Sequence, residues 1–598
     1  MRGGLPRLAG TLLVAAIAAR GETWCSPGAL AASGDGRTIY AGCSGSNSVE
    51  VFDTAGLRVL RSISAPGPVS GIALSADGRS LYLTAAGPRS SVEIIDIASG
   101  RRTASIAAGH TALAPVLSPD GATLYVCNRF NDDVSVIDTG ARKEIARIRV
   151  VREPAGAALG DGGKRLLVIN ALPAGRADVA PIAAEISVID TAARKVTASI
   201  RLPNGSTSLR DIRTSPDGRF ACVTHVLSRY YLPTTQADRG WIHTNAVSVI
   251  DVARGALVGT ALLDDIDRGA ANPWGVAWSG GGRSLSVTHA GTHEVSVIDV
   301  EALLAKLQAP QQNPADDLSF LVGLRKRIRL AGNGPRAIVA AGDTLWVAGY
   351  FSDTLESVDA AAASPSATLA ARFSSAVPDT RRRGEILFND GSLSFQGWLS
   401  CVSCHSPDAR VDALNWDLLN DGVGNPKNAR SLLLAHRTPP AMTHAVREDA
   451  EAAVRAGIRY ILFAERPESE AAAIDEFLKS LRPLASPLLV KGKLSPAAAR
   501  GRKLFFDARV GCARCHPAGL FTDLNSYDVG TQAKTDTGSR FDTPTLIELW
   551  RTAPYLHDGS APGIRDVLTN NNRDDRHGTT SHLNGQQIDD LAAYLLSL

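Results

Sequence analysis

The sequence lacks a charge imbalance, a long apolar run beyond its first residues, and almost all methionine. Its 63 basic and 60 acidic residues leave a formal net charge of only +3 at pH 7, which gives no electrostatic basis for binding nucleic acid. After the first twenty residues, no apolar run is long enough to span a bilayer. Met1 and Met442 are its only methionines. We therefore expect no nucleic-acid partner and no integral membrane segment in the mature chain.

The first residues have the features of an export signal. Arg2 and Arg7 precede an apolar run from Leu8 to Ala19 that ends in small residues suited to cleavage. We expect residues 1–20 to be a signal peptide and the mature protein to be periplasmic, with an uncleaved anchor as the alternative.

Four of the eight cysteines stand apart from any motif. Cys25 and Cys43 are suited to a disulfide in an oxidising compartment. Cys127 and Cys222 lie in strand-like segments and are expected to be buried thiols.

An internal repeat covers the first 360 residues. Its seven segments are SVEVFD (48–53), SVEIID (91–96), DVSVID (133–138), EISVID (185–190), AVSVID (246–251), EVSVID (294–299) and TLESVD (354–359). Apolar and polar residues alternate in these segments, which are separated by Asp-Gly turns, and this pattern predicts antiparallel strands. About four short strands per repeat, repeated seven times, predict an all-β seven-bladed propeller. Through LYVCNRFNDDVSVIDT (124–139) the repeats resemble the YVTN propeller family, which implies this fold over residues 25–360 but no chemistry.

Four histidines of the propeller allow two interpretations. His225 and His289 end equivalent strands, and His243 and His293 lie in nearby loops. Either they form a ligand site on one face, or they are strand-end side chains satisfied by neighbouring backbone. The insertion at 229–245 is a candidate for partner or substrate contact.

After a linker of small residues, predicted at 361–379, the residue pattern becomes typical of helices. Two copies of one helical unit follow, over 380–482 and 483–598. The paired segments are RGEILF (383–388) with RGRKLF (500–505), CVSCH (401–405) with CARCH (512–516), and SLLLAHRTPPAM (431–442) with TLIELWRTAPYL (545–556). We predict a multidomain chain in which the propeller precedes all-α tandem cytochrome c folds.

Cys-x-x-Cys-His is the attachment signal for c-type haem. The pairs Cys401/Cys404 and Cys512/Cys515 would each bind one porphyrin through thioethers, with His405 and His516 as proximal iron ligands. A zinc site would not explain a histidine after each pair, and a thioredoxin-like pair needs a βαβ context that is missing. We therefore predict two covalently bound haem c groups.

The tandem units, with TPTLIELWRTAPYLHDGS (543–560), resemble the bacterial di-haem cytochrome c peroxidase family, which includes MauG. The resemblance covers residues 380–598. It implies that one haem reacts with hydrogen peroxide, that the other receives electrons, and that a calcium ion lies between them. It also implies that Thr543, Pro544, Tyr555, His557, Asp558 and Gly559 line the second haem domain.

The axial ligands depart from this family pattern. The second haem of the family commonly has a methionine ligand, which this chain cannot supply beyond residue 442. His577 and His582 are the candidates, and a tyrosine or no ligand is the alternative. For the first haem, Met442 lies near His436 and His444 and is either a sixth ligand or a core side chain.

Peroxide chemistry also needs a group that moves protons. Counting from the family pattern gives Glu451, with Glu448 one helical turn away, although the family's DGR turn is missing. A solvated helix face is the alternative for both. Trp416 is either an electron-transfer aromatic between the haems or a core residue.

Three functions follow from these observations. The leading hypothesis is a peroxidase supplied with electrons by a small donor protein, a cytochrome c or a cupredoxin. The second is an electron carrier whose propeller docks a dehydrogenase. The third is MauG-like oxidation of a partner protein.

Overall fold

The computed structural model describes residues 23–232, 241–309, 313–418 and 424–598. The predicted signal peptide and part of the 229–245 insertion lie outside these residues. Within them, no helix combines the length and apolarity needed to cross a membrane.

The described residues between Pro27 and Arg372 form a ring of antiparallel sheets, and each sheet is built from consecutive strands. The described residues contain seven of them, which confirms the predicted propeller. Blades 1 to 4 are β1–β4 (Pro27–Ala32, Thr38–Cys43, Ser48–Asp53, Arg58–Ser64), β5–β8 (Val69–Leu74, Ser80–Ala85, Ser91–Asp96, Arg102–Ala107), β9–β12 (Ala112–Leu117, Thr123–Asn128, Asp133–Asp138, Lys143–Arg149) and β13–β16 (Pro154–Gly160, Arg165–Asn170, Glu185–Asp190, Lys195–Arg201).

Blade 5 has five strands because its innermost strand is divided in two. Blades 5 to 7 are β17–β21 (Ser206–Thr207, Ile212–Thr214, Phe220–Ser228, His243–Asp251, Ala256–Leu262), β22–β25 (Pro273–Ser279, Ser284–His289, Glu294–Asp299, Arg325–Arg329) and β26–β29 (Pro335–Ala341, Thr344–Gly349, Thr354–Asp359, Ala367–Arg372).

The predicted linker at 361–379 is partly wrong. Ala367–Arg372 forms the outermost strand of blade 7, paired with β28. Its small side chains resemble a linker in composition, but an outer strand buries little and does not need large apolar residues.

Serine and aspartate side chains fix the hairpin turns between β1 and β2 and between β5 and β6. Ser75 Oγ donates to Asp77 Oδ1 at 2.6 Å, and the next glycine, Gly78, has φ +68°. The same arrangement recurs at Ser33, Asp35 and Gly36. Only glycine adopts this left-handed conformation without strain.

The first and last blades meet without sharing a strand, since each is built only from its own consecutive strands. The inner strand β26 contacts β1, and the backbone N–H groups of Cys25 and Ser26 donate to the Asp353 carboxylate at 3.0 and 2.7 Å. A disulfide joins Cys25 to Cys43, while Cys127 and Cys222 are buried free thiols.

The regular secondary structure of the remaining chain is mainly helical, as predicted. In the described residues the helices are α1 (Val300–Gln308, beside blade 6), α2 (Thr380–Asn389), α3 (Cys401–Cys404), α4 (Ala450–Tyr460), α5 (Glu468–Ser480), α6 (Pro496–Phe505), α7 (Cys512–Cys515), α8 (Ile564–Leu568) and α9 (Gly585–Leu595). Two short antiparallel pairs complete the fold: β30 (Asn415–Trp416) with β31 (Lys427–Asn428), and β32 (Ser526–Asp528) with β33 (Arg540–Asp542).

Each helical unit is organised around one close helix crossing. In the first, α2 crosses α5 at Gly384, where a Cβ atom would lie 1.8 Å from the carbonyl oxygen of Ala473. In the second, α6 crosses α9 at Gly501, where a Cβ atom would lie 1.8 Å from that of Asp590. The repeated Arg-Gly pair of the sequence therefore marks the same crossing in both units.

The first cytochrome unit shares its core with the propeller. Ile182, Tyr230 and Ile242 of the propeller belong to the same buried apolar cluster as Trp398 and Trp416. The second unit has a separate core, built on α6, α8 and α9.

Candidate functional site

The first CxxCH motif occupies a single capped turn. Ser400 and Ser403 form a capping box at the start of α3. Both cysteines are free, and burial raises the pKa of Cys401 to about 12 and that of Cys404 well above its usual value. The turn therefore presents two neutral thiols on one side, since residues three apart share a helix face.

His405 follows this turn, and one of its ring nitrogens is hydrogen-bonded to the backbone. Its Nδ1 lies 3.0 Å from the carbonyl oxygen of Arg430 and 3.2 Å from that of Arg410. A neutral imidazole that donates from Nδ1 leaves Nε2 as an acceptor for a metal.

The second motif repeats this arrangement. Gly511, at φ +81°, leads into α7, and burial raises the pKa of Cys512 to about 11. His516 is 8% exposed, and its Nδ1 lies 2.8 Å from the carbonyl oxygen of Phe521. Free thiols and an oriented imidazole in both units fit covalent haem c.

The structure brings His577, and not His582, to the second motif. The rings of His516 and His577 have centroids 6.4 Å apart, and burial, then the neighbouring His516, lowers the pKa of His577 to about 4. His582 is exposed and lies near Asp507 and Asp575. Of the two candidates, only His577 is placed to share a metal with His516.

No ring is paired with His405 in this way among the described residues. Met442, at φ +72°, occupies the position that Leu556, at φ +71°, holds in the second unit. The Met442 carbonyl accepts a hydrogen bond from Arg430 at 3.1 Å. The two units therefore share the backbone conformation of this turn but carry different side chains at it.

Glu451 and Glu448 lie in polar surroundings. Glu451 is in the first turn of α4 and forms an ion pair with Lys479 at 3.1 Å, with its side chain 38% exposed. Glu448 is exposed. The lysine of α5 that pairs with Glu451 was not evident from the sequence, since it lies 28 residues further along the chain.

The propeller contributes a residue to the first motif that sequence reasoning left open. His243 opens β20, and its Nε2 lies 3.0 Å from Cys404 Sγ. Its ring lies 4.6 Å from that of Trp416, which donates to Asp412 Oδ2 at 2.7 Å. The only sequence signal was the insertion that carries His243. By contrast, His225 and His289 bond to the hydroxyls of Ser248 and Ser296 within their own blades, and these hydroxyls are side-chain groups rather than the backbone partners that the second interpretation expected.

Asn272 also joins the propeller to this motif. Its amide donates to Ser400 Oγ and accepts from Ser403 Oγ, both at 2.9 Å. His293 Nε2 lies 3.2 Å from Asp390 Oδ1 just after α2. Together these contacts hold the haem-attachment turn against the blade edges.

A row of rings lies between the two cytochrome units. Phe541 stacks on His557 at 4.0 Å and lies 5.1 Å from His444. His557 Nε2 is 2.8 Å from Asp536, which also pairs with Lys427 at 2.8 Å. Across the described residues, no three His, Cys, Asp or Glu side chains converge as ligands for a metal ion such as the calcium implied above.

A family model described as RoxA-like, cytochrome c-like matches residues 541–577, which contain His557 and His577. The hydrazine synthase subunit gamma of Kuenenia stuttgartiensis is 31% identical over 271 residues, which cover 36% of this chain and 77% of that subunit. The chain belongs to the hydrazine synthase gamma family.

Two further comparisons extend this finding. MauG of Methylorubrum extorquens is 27% identical to this gamma-family chain over 248 residues, which cover 32% of the chain and 68% of MauG. A solved structure of Kuenenia stuttgartiensis hydrazine synthase matches with a TM-score of 0.53 and 27% identity, covering 56% of this chain and 96% of its own. The structure shows the propeller, and these matches show that the region joined to it is MauG-like and cytochrome c-like, with covalently bound haem c.

Proposed function

We propose that this chain is an exported two-haem oxidoreductase with a division of labour between its cytochrome units. The second unit transfers electrons, and the first reduces a small substrate, in the leading case hydrogen peroxide. Each turnover takes two electrons from a small donor protein and two protons, and it converts one peroxide into two water molecules.

The observation that carries this proposal is the difference between His405 and His516. His516 has His577 across from it at a ring separation of 6.4 Å. Among the described residues, His405 has no such partner. A pair of facing histidines would suit electron transfer, whereas a single histidine would leave room for a substrate beside it.

The chain supplies the surroundings for this chemistry. When bound, haem c would supply an iron that exchanges single electrons. His405 is oriented by the carbonyl groups of Arg410 and Arg430. The apolar cluster around Trp398 and Trp416 excludes water from the motif. Glu451 is our candidate for delivering protons, released from its ion pair with Lys479.

The spectrum of the oxidised holoprotein tests the proposal. We expect one high-spin and one low-spin haem, and we expect Met442→Leu to leave both unchanged. If Met442→Leu instead turns a low-spin haem into a high-spin one and creates peroxidase activity, the wild type is an electron carrier.

A second variant tests the proton path. Glu451→Gln is expected to slow peroxide reduction by about a hundredfold, the contribution typical of a positioned acid/base group. Glu448→Gln, three residues earlier on the exposed surface, is the matched control and is expected to keep the wild-type rate. A wild-type rate for Glu451→Gln would remove Glu451 from the mechanism.

The comparisons favour a second candidate, the formation of hydrazine. Both the 31% identical subunit and the matching solved structure belong to a hydrazine synthase. Hydroxylamine and ammonia combine to hydrazine and water with no net electron transfer, so the assay needs no donor. Hydrazine production by the purified holoprotein, with no peroxide turnover, would favour this candidate over the first.

A further inference from the structure

A cavity of about 510 Å³ lies on the axis of the propeller, and we call it the axial chamber. The innermost strands of all seven blades line it, and the first cytochrome unit closes one end through α2, α3 and the residues around Asp408. Asp408 is 59% exposed although protein surrounds it, because it faces this space. The chamber is therefore large enough to hold water or a small solute.

Two arginines in the chamber wall share one tryptophan. The guanidinium carbons of Arg210 and Arg336 each lie 4.3 Å from the centre of the Trp274 ring. Arg336 also lies 4.1 Å from the ring of Tyr350. These cation–π contacts hold both side chains in place without neutralising them.

The other charged groups of the wall are already paired. Arg129 pairs with Glu153 at 2.9 Å and with Asp408 at 3.5 Å, and Arg213 pairs with Asp211 at 3.4 Å. Within the described part of the chain, Arg210 and Arg336 form no ion pair.

Arg210 and Arg336 instead donate to neutral oxygens. Arg210 bonds to Ser406 Oγ at 2.6 Å, and Arg336 bonds to Asn389 Oδ1 at 2.9 Å. The buried Nε of Arg336 has no hydrogen-bond partner among the described residues. The nearest counter-charges are Asp408, which both arginines share, and Glu385 beside Arg336, but each of these carboxylates is also paired with another arginine. The two fixed cations are thus only partly balanced.

Repulsion between these positive charges makes the empty chamber electrostatically unfavourable. Burial, then the nearby Arg336 and Arg129, lowers the pKa of Arg210 to about 9. An anion between the two guanidinium groups would remove this repulsion, and the planar guanidinium fork matches the paired oxygens of an oxyanion.

The chamber is separate from the face of α3 that carries the thiols. Val402 lines the chamber, whereas neither Cys401 nor Cys404 is among the described residues that do so. Residues three apart share a helix face, and the residue after the first points about 100° away. The chamber therefore lies behind the attachment turn.

We propose that the axial chamber binds a small oxyanion between Arg210 and Arg336. The bond from Arg210 to Ser406, the residue after His405, places this anion next to the first haem motif. A negative charge there stabilises the oxidised form of the haem and lowers its reduction potential.

Calorimetric titration of the holoprotein with sodium nitrate and sodium sulfate, in chloride of matched ionic strength, tests the site. We expect saturable binding of at least one of them, weakened at least about tenfold in Arg210→Gln and Arg336→Gln. Arg213→Gln is the matched control, since Arg213 lines the same chamber but is paired, and its affinity should stay within about twofold. Failure of both anions to saturate, or unchanged binding by Arg336→Gln, would overturn the proposal.

Two measurements guard against misfolded variants. The first-haem potential of the wild type should fall when the bound anion is added, and an equal shift in Arg336→Gln would contradict the site. Crystals of the wild type soaked in sodium selenate should give an anomalous peak between Arg210 and Arg336. Selenate found only on the outer surface would exclude the proposed anion site.

Discussion

Gly501→Ala is expected to destabilise the second cytochrome unit by more than about 3 kcal/mol, at the upper end of overpacking costs. A Cβ atom at this position would lie 1.8 Å from the backbone oxygen of Asp590. Because the obstacle is backbone, no rotamer change relieves it, and α6 and α9 must separate. Thermal unfolding followed by circular dichroism and haem absorbance measures the loss.

Gly457→Ala is the matched control for this variant. Gly457 lies inside α4, and nothing stands within 4 Å of its would-be Cβ atom. Alanine should therefore be neutral there or stabilise by up to about 1 kcal/mol through helix propensity. If Gly501→Ala were as stable as Gly457→Ala, the close crossing of α6 and α9 would be wrong. The same test applies to Gly384 in the first unit.

His577→Ala is expected to convert one of the two haems completely from low spin to high spin. His577 is the buried imidazole facing His516, and its removal leaves an apolar methyl group that cannot bind iron. The reduction potential of that haem should change as well, since axial ligands set it. Electron paramagnetic resonance of the oxidised protein reports the spin state directly.

His582→Ala is the control, because this exposed histidine lies in the same loop. It should leave both haem spectra as in the wild type. A low-spin second haem in the His577→Ala variant would mean that another side chain is the ligand. A spectral change in the His582→Ala variant would assign the ligand role to His582.

Local patterns in the sequence were enough to predict the propeller. Six of the seven repeated segments coincide with strands, for example Ser48–Asp53 and Thr354–Asp359. The seventh, 246–251, lies within the longer strand His243–Asp251. Alternation and turn chemistry act between neighbours in the chain, so they are visible without a structure.

Contacts between distant parts of the chain could not be predicted in this way. His243 and Cys404 are 161 residues apart, and no local pattern marks their meeting. The same holds for Arg210, Trp274 and Arg336, which come from three different blades. The haem motifs were evident because their chemistry is contained in five consecutive residues, whereas the choice between His577 and His582 needed their burial.

The order of blades has a consequence for how the protein is made. Every blade uses consecutive strands, so each sheet completes itself as soon as its own stretch of chain has emerged. The inner strand β1 nevertheless finds its neighbour β26 only after blade 7 exists. Until then blade 1 presents an apolar flank, and long-range closure of this kind is slow and prone to aggregation. The disulfide between Cys25 and Cys43 joins the chain before β1 to the end of β2, so it stabilises this incomplete sheet once the chain reaches an oxidising compartment.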